Sequence, residues 1–349
     1  MKILAVESSC DDLSWAVVED GSIVVACALA SQTELHALTG GVVPEVASRE
    51  HMRTVIPVLE EVVKNVSLSE IDAIAVTYGP GLVGSLLVGL MAAKTLALVL
   101  GKPLIPVHHI EGHIAANWLA RDPAELVGKK VILTVSGGHN DVYLMEEFGS
   151  FEHIGWTLDD AAGEAFDKVA RMLGLGYPGG PAIEKYIIAN SEKFGHLDNP
   201  YNFPRALGEK GSLTFSFSGL KSEVRRQVMK LEKLTFQDTY FIAQEFQEAV
   251  TDVLAKRLFE AGEKYKAEIF MVTGGVSASS RLKEKVMENS MKRGIKSDQI
   301  FFPIKKMYST DNAAMIGGAA YFVFQHCQER VCVSAESIIK LSPHLQYGL

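Results

Sequence analysis

The feature that most limits what this chain can fold into is an order of elements that occurs twice. Apolar or alternating stretches at 2–7, 14–19 and 22–30 read as three strands, the last two joined by a turn at Asp20-Gly21. A helical pattern at about 46–65, a strand at 71–77 and an apolar helix at 82–100 follow. The second run opens with strands at about 130–136, 141–147 and 152–156. Helical patterns near 160–174, 179–190, 218–232 and 236–265 come next, then a strand at 268–273 and a helix at 280–293. Both halves read strand-strand-strand-helix-strand-helix, with extra helices inserted in the second. No residue-by-residue repeat accompanies this order. Hairpin strands followed by crossover helices imply mixed sheets with helices on both faces. The expectation is a two-lobed α/β fold with duplicated mixed sheets and a cleft between the lobes, glycine turns pointing into it. The helix at 82–100 is expected to be buried between layers, and a helical pattern at about 311–328 to pack back on the first lobe. The stretch from Gly195 to Gly211 reads as an ordered loop.

With 349 residues, 48% of them hydrophobic and 22% charged, the chain is long and apolar enough to bury its core without disulfides or a structural metal. Its net charge of −8 argues against a dedicated DNA binder and leaves room for a local basic patch. Cys10, Cys27, Cys327 and Cys332 form no C-x-x-C pair, so free thiols in a reducing compartment are expected. The first apolar stretch meets Glu7 too early for a signal-peptide core, and the run from Leu82 to Gly101 is cut by Lys94. A cytoplasmic protein with no membrane attachment is the expectation.

Four turns follow strands. Glu7-Ser-Ser-Cys-Asp-Asp12 places small hydroxyls and carboxylates after the first strand, where they suit a phosphate, a cation or a water; a plain hairpin turn is the alternative. Thr134-Val-Ser-Gly-Gly-His-Asn-Asp141 sits at the matching point of the second half, and its paired glycines let backbone approach a ligand. Gly274-Gly-Val-Ser-Ala-Ser279 runs from a strand into a helix, where free N–H groups suit a nucleotide, and Gly79-Pro-Gly81 holds the same place in the first half. Other matches fail on context. Gly174-Leu-Gly-Tyr-Pro-Gly179 follows a helix, so it is no dinucleotide fingerprint; no P-loop occurs, and Gly275 to Ser279 lacks the last glycine of a nucleophile elbow.

If the segment is helical, His109 and His113 in His-Ile-Glu-Gly-His share one face, the spacing of two ligands on one ion; a chance pair is the alternative. The best third ligand is Asp311, which could equally cap the helix it precedes. Such a set suits Fe(II) or Zn(II). A metallopeptidase is disfavoured because no glutamate adjoins the first histidine, and a non-catalytic nucleotide-binding scaffold because the ligand set is intact.

Together these segments resemble the TsaD (Gcp) family. The matching pieces are Glu7-Ser-Ser-Cys-Asp11, Gly40 to His51, Tyr78 to Ser85, His108 to His113, Val135 to His139, Gly163 to Arg171, Tyr177 to Pro181, Phe215 to Lys221, Gly274 to Ala278 and Ser309 to Ala313, in family order. The Glu-Gly-His at 111–113 looks like the bacterial branch. The resemblance implies an actin-like, sugar-kinase-like (ASKHA, ribonuclease-H-like) fold. It implies an N-terminal lobe of 1–108 plus about 312–349 and a C-terminal lobe of 109–311, with helical insertions at about 157–265. The implied reaction moves a threonylcarbamoyl group from threonylcarbamoyl-AMP to N6 of adenosine 37 in tRNAs reading codons that begin with A. Implied partners are tRNA, a TsaB-like paralogue and a TsaE-like ATPase.

Residue by residue, His109, His113 and Asp311 match the family's metal ligands, implying one iron or zinc ion per subunit. Thr134, Val135, Ser136, Gly137, Gly138, Asp167 and Gly180 match positions that hold the adenylate, or ATP or ADP. Glu184 stands where many members have Asp, and Ser279 where the family has Asn; Asp12-Leu13 replaces the commoner Glu-Thr. Asp11 is the candidate base or water-orienting group. Lys221, Arg225 and Arg226, with Lys230, fall at helical spacing as a candidate tRNA-binding stripe, and the segment from Arg281 to Arg293 is a second basic stretch.

Overall fold

The computed structural model describes residues 1–64, 66–205 and 211–331 and divides the chain into two compact units. The first comprises 1–128, 145–151 and 302 onward; the second comprises 129–144 and 152–301.

The first unit begins with β1 (Lys2–Glu7), β2 (Leu13–Glu19) and β3 (Ile23–Ala30), followed by α1 (Thr33–Ala37), α2 (Pro44–Val63), β4 (Ala73–Gly79), α3 (Val83–Leu100), β5 (Leu104–His108) and α4 (His109–Ala115). Its sheet has the order β3-β2-β1-β4-β5; β1 pairs antiparallel with β2 and parallel with β4. Because β1 is central and covered on both faces, it reads as a continuous apolar run, and Ile3 to Val6 are fully buried. Strand alternation sends Leu4 and Val6 toward Trp15, Val55, Val58 and Leu90, the core shared with α2 and α3. Each such side chain contributes roughly 1.5–3 kcal/mol on burial.

The second unit holds β6 (Lys130–Val135), β7 (Asn140–Met145), β8 (Phe151–Trp156), α5 (Ala162–Met172), α6 (Gly179–Phe194), α7 (Ser218–Lys230), α8 (Phe236–Tyr265), β9 (Ile269–Thr273), α9 (Ser280–Lys292) and β10 (Ile300–Phe301). The sheet order is β10-β9-β6-β7-β8, the same arrangement read from the other edge, with β6 and β9 parallel. Helix α10 (Ala313–His326) returns to the first sheet as expected, its Gly317 lying against Val18 and Ala5. Thus both halves carry the predicted mixed sheet.

Two expectations change. The first unit runs on to Gly128, so α4 and its histidines fold with the first sheet and not after a boundary at 108. The reason is packing: Gly112 leaves room for Ile316 and Met315 of α10 against α4. Helix α3 is not buried between layers. Only a third of its 18-residue span is buried, and Val83, Leu87 and Met91 are exposed at successive turns, because α2 and the sheet cover one side alone. By length and hydropathy α3 is the one described helix that would pass for a membrane span, but its inner face is part of the core. Of the loop expected at 195–211, Arg205 is tied to Glu245 and Asp252, and 206–210 lie outside the described residues, as does Cys332.

Candidate active site

The histidine pair is placed by the end of β5. His108 caps α4, accepting a hydrogen bond from the Ile110 N–H at 3.2 Å, while Glu111 Oε2 accepts from the His108 N–H at 3.2 Å. This reciprocal cap starts the helix at His109, and four residues later His113 comes onto the same face. The imidazoles lie 4.6 Å apart between centroids, and both are buried.

Asp311 arrives from the loop before α10. The cap of that helix is Asn312, whose Oδ1 accepts from the Met315 N–H at 3.1 Å, so the helix-cap alternative for Asp311 falls away. Its Oδ1 lies 3.5 Å from His109 Nε2 and 3.3 Å from His113 Nε2. Charge-assisted hydrogen bonds are shorter, about 2.7–2.9 Å. Ligands at about 2.1 Å from a tetrahedral ion are about 3.4 Å apart, the spacing found here. Two imidazole nitrogens and one carboxylate oxygen form a donor set that suits a divalent first-row metal. The residues present fit the metal that the family resemblance implies.

A residue absent from the expected site completes the arrangement. Glu7, fully buried at the end of β1, accepts from the Ser9 N–H at 2.5 Å and the Thr77 hydroxyl at 2.5 Å, and its Oε2 lies 3.2 Å from His109 Nδ1. Ser9 Oγ is also 3.2 Å from that nitrogen. A carboxylate behind a ligand histidine fixes its ring and directs Nε2 outward. Burial opposes charge on His109, but Asp311 and Glu7 outweigh it and push the metal-free imidazole up to about 9. Burial holds His113 below its ordinary value. Asp11 is half-buried in the same turn, and burial pushes the adjoining Asp12 carboxyl up to about 7. The sequence signal for Glu7 was present: a carboxylate closing an apolar central strand.

In the second unit the expected nucleotide residues gather at helix starts. Ser136 N–H donates to the His139 carbonyl at 2.8 Å, which closes the turn around Gly137 and Gly138. Both glycines are exposed, with open space where a Cβ would stand. Asn140 Oδ1 accepts from the Ala162 N–H at 3.1 Å and ties the turn to the start of α5. Gly163 lies so close that a Cβ there would come within 2.6 Å of the Ser136 carbonyl oxygen. Gly274, at φ +87°, has a similar place: its Cβ would meet the Val135 oxygen at 2.4 Å.

Asp167 Oδ1 accepts from the Gly179 N–H at 2.6 Å, Glu184 Oε1 from the Ser280 N–H at 2.8 Å, and Ser279 caps α9 through the Leu282 N–H at 3.4 Å. These three side chains therefore fix the starts of α6 and α9. Gly180 faces open space, and Val135 and Thr134 are buried at the end of β6, the Thr134 hydroxyl without a hydrogen-bond partner among the described residues.

The basic stripes are largely neutralised within the unit. Lys221 pairs with Asp160, and Arg226 pairs with Glu223 at 2.6 Å, while Arg225 is exposed. Asp159 receives the Ser216 and Ser218 hydroxyls and the Phe217 and Ser218 N–H groups. Burial raises the Asp159 pKa, and these four donors outweigh it, leaving the carboxyl below its ordinary value. Arg281 is bound to Glu248 and Glu284, and Lys285 to Glu248 and Asp252. Spacing along a helix reveals the Arg226–Glu223 and Arg281–Glu284 pairs but not Asp160, Glu248 and Asp252, which come from other elements.

The family model described as TsaD, tRNA N6-adenosine threonylcarbamoyltransferase, matches residues 23–318. The chain belongs to this family. A tRNA N6-adenosine threonylcarbamoyltransferase of Clostridium perfringens (strain SM101) is 49% identical over 92% of both chains, and one of Clostridium botulinum (strain 657) is 47% identical over 93% of both. Among solved structures, the activator of the 2-hydroxyisocaproyl-CoA dehydratase from Clostridium difficile, with bound ADPNP, superposes with a TM-score of 0.51 at 14% identity. That match covers 94% of this chain and 96% of the other and speaks for the fold alone. The TsaD match includes the histidine pair, Asp311 and the turns around Gly137 and Gly274; Glu7 and Asp11 precede it.

Proposed function

We propose that this chain carries out the reaction for which its family is named, transferring the threonylcarbamoyl group of threonylcarbamoyl-AMP to N6 of adenosine 37 in tRNA. The observation that carries the reading is the His109, His113 and Asp311 cluster, braced by Glu7, in a chain that matches TsaD over most of its length. In the transfer, N6 attacks the carbamoyl carbon, the bond from that carbon to the phosphate oxygen breaks, AMP leaves and N6 loses a proton.

One ion per chain, iron or zinc, is proposed for the cluster, where a bound metal supplies Lewis acidity. The protein's own groups do the remaining work. Glu7 and Ser9 orient His109. Asp11, in the same turn, is proposed to receive the N6 proton directly or through a water. In the second unit, Ser136, Gly137 and Gly138 are assigned to offering backbone to the AMP phosphate, with the start of α5 beside them. Asp167 is assigned to keeping the start of α6 in place, Glu184 and Ser279 to keeping that of α9, and Gly180 to leaving ligand space open. Holding the leaving group in this way makes positioning a large part of catalysis.

Arg225 is proposed as a tRNA phosphate contact, with Lys221 and Arg226 contributing only if they exchange carboxylate partners for phosphate. A TsaB-like paralogue and a TsaE-like ATPase are the proposed protein partners. The proposed setting is the cytoplasm, supported by the free thiols of Cys10, Cys27 and Cys327.

The test combines the chain, its TsaB-like partner, unmodified tRNA and synthetic threonylcarbamoyl-AMP, with nucleoside mass spectrometry of the digested tRNA. The reading expects threonylcarbamoyladenosine from metal-loaded protein and none from His109→Ala or metal-stripped protein. Product from the stripped protein would remove the metal's role. No product from intact protein, on tRNA that a known enzyme modifies, would leave a nucleotide-binding scaffold.

A further inference from the structure

Three buried polar side chains near the metal cluster are used by nothing described so far. His36 and His51 are fully buried and Gln32 is 4% exposed. They form a continuous chain of hydrogen bonds whose directions are set by the groups at its ends. His51 Nε2 lies 2.9 Å from the Cys10 carbonyl oxygen, which only accepts, so Nε2 carries the hydrogen. Burial holds this imidazole below its ordinary pKa, so the ring is neutral and Nδ1 accepts. The donor is Gln32 Nε2 at 3.0 Å. That amide nitrogen also donates to the Ala47 carbonyl at 3.2 Å, and a flipped amide would set oxygen against oxygen there. Gln32 Oε1 therefore accepts from His36 Nε2 at 3.1 Å, and His36 Nδ1 accepts from the Val43 N–H at 3.4 Å. Every donor meets an acceptor from the residue before α2 to the turn after β1.

The far end of this chain of bonds is informative. Cys10 immediately precedes Asp11, in the turn whose Glu7 and Ser9 brace His109. The rest of that turn is held from other directions: the Ser8 hydroxyl donates to the Ser85 carbonyl at 2.9 Å, and the Leu82 N–H donates to the Ser9 carbonyl at 2.7 Å. Only the His51 bond holds the Cys10 carbonyl among the described residues. A buried polar network is expensive unless fully satisfied, and a satisfied one specifies a single arrangement.

We infer that Gln32, His36 and His51 are positioning residues that fix the Cys10-Asp11 peptide for threonylcarbamoyl transfer. The inference rests on the placement of the reaction at this turn argued above. His51 acts through Cys10 and touches no substrate; Gln32 and His36 set its tautomer.

The experiment has two arms. In the unaltered, 15N-labelled full-length chain, nitrogen NMR of the imidazoles is expected to show the Nε2–H tautomer for both His36 and His51 near pH 7. An Nδ1–H tautomer at His51 overturns the inference without any variant. In the second arm, the metal-loaded chain is assayed with its partners on tRNA. His51→Leu is expected to lower kcat about 10–100-fold, the range for an outer-shell partner, with KM for tRNA and metal content changed less than about twofold. His51→Gln, whose amide can donate to the Cys10 carbonyl, is expected to recover most of that loss, and Gln32→Leu to lose less than His51→Leu. A folded His51→Leu protein with unchanged kcat overturns the inference, as does equal loss in His51→Leu and His51→Gln. If the unaltered chain makes no threonylcarbamoyladenosine, the reading of the reaction fails instead, a result distinct from any pattern among the variants.

Discussion

The turns after β1 and after β6 occupy the same place in two sheets of matching strand order, yet they are built from opposite materials. After β1 come Ser8, Ser9, Cys10, Asp11 and Asp12, all buried or half-buried, most with a polar group bonded to another element. After β6 come Ser136, Gly137, Gly138 and His139, where the two glycines are exposed and nothing stands where their side chains would be. The first turn works through side chains and braces an ion-binding set. The second exposes its backbone to open space, where the function proposed above puts a ligand. On the function proposed above, one arrangement of strands serves two chemistries.

The comparison is broken most directly at Glu7. Glu7→Gln keeps the shape and removes the charge behind His109, so metal affinity should fall about 10–100-fold. Competition with a chelating dye measures it; unchanged affinity would mean that the buried carboxylate only supports the fold.

A second prediction sharpens the electrostatics of the same turn. In the metal-free protein His109 is protonated up to about pH 9, and a metal must displace that proton. Below pH 9, metal affinity should therefore rise by up to about tenfold per pH unit, with about one proton released per ion. Calorimetry in buffers of different ionisation enthalpy counts the protons.

The glycine side of the comparison predicts two unlike alanine variants. Gly274→Ala puts a Cβ 2.4 Å from the Val135 oxygen at a φ of +87° and should destabilise the protein by about 1–3 kcal/mol. Gly137→Ala meets open space and should change stability by less than about 0.5 kcal/mol. Denaturant titration of both separates close backbone packing from ligand space. A small effect also belongs to Asp159, whose depressed pKa stabilises the fold above the ordinary carboxylate range and loses that contribution as pH falls through the folded value. Asp159→Asn should remove this part of the acid sensitivity, by less than about 1 kcal/mol because the site is solvent-screened. Acid titration of the two proteins tests it.

How much of this could be read beforehand follows from the range of each interaction. The duplicated strand order was legible because apolar periodicity is local, and β1, β4 and β6 carry it in runs of six or seven residues. The histidine pair was legible because four residues make one helical turn. Glu7 lies 102 residues from the ring it orients, and Lys221 lies 61 from the acid that neutralises it, so no local pattern could join them. The bare side of α3 was hidden for a related reason. Its composition is apolar all round, and which side is covered depends on α2, which approaches one side only.

The most direct test of the division between the two turns measures metal content and AMP affinity together, in His109→Ala and in Gly138→Val. The Cβ of the second substitution would stand in open space. The account predicts that His109→Ala loses its metal and still binds AMP within about threefold, while Gly138→Val keeps one metal per chain and loses AMP affinity at least about tenfold. If each variant lost both ligands together, or if Gly138→Val bound AMP normally, the two turns would not have the separate roles assigned to them.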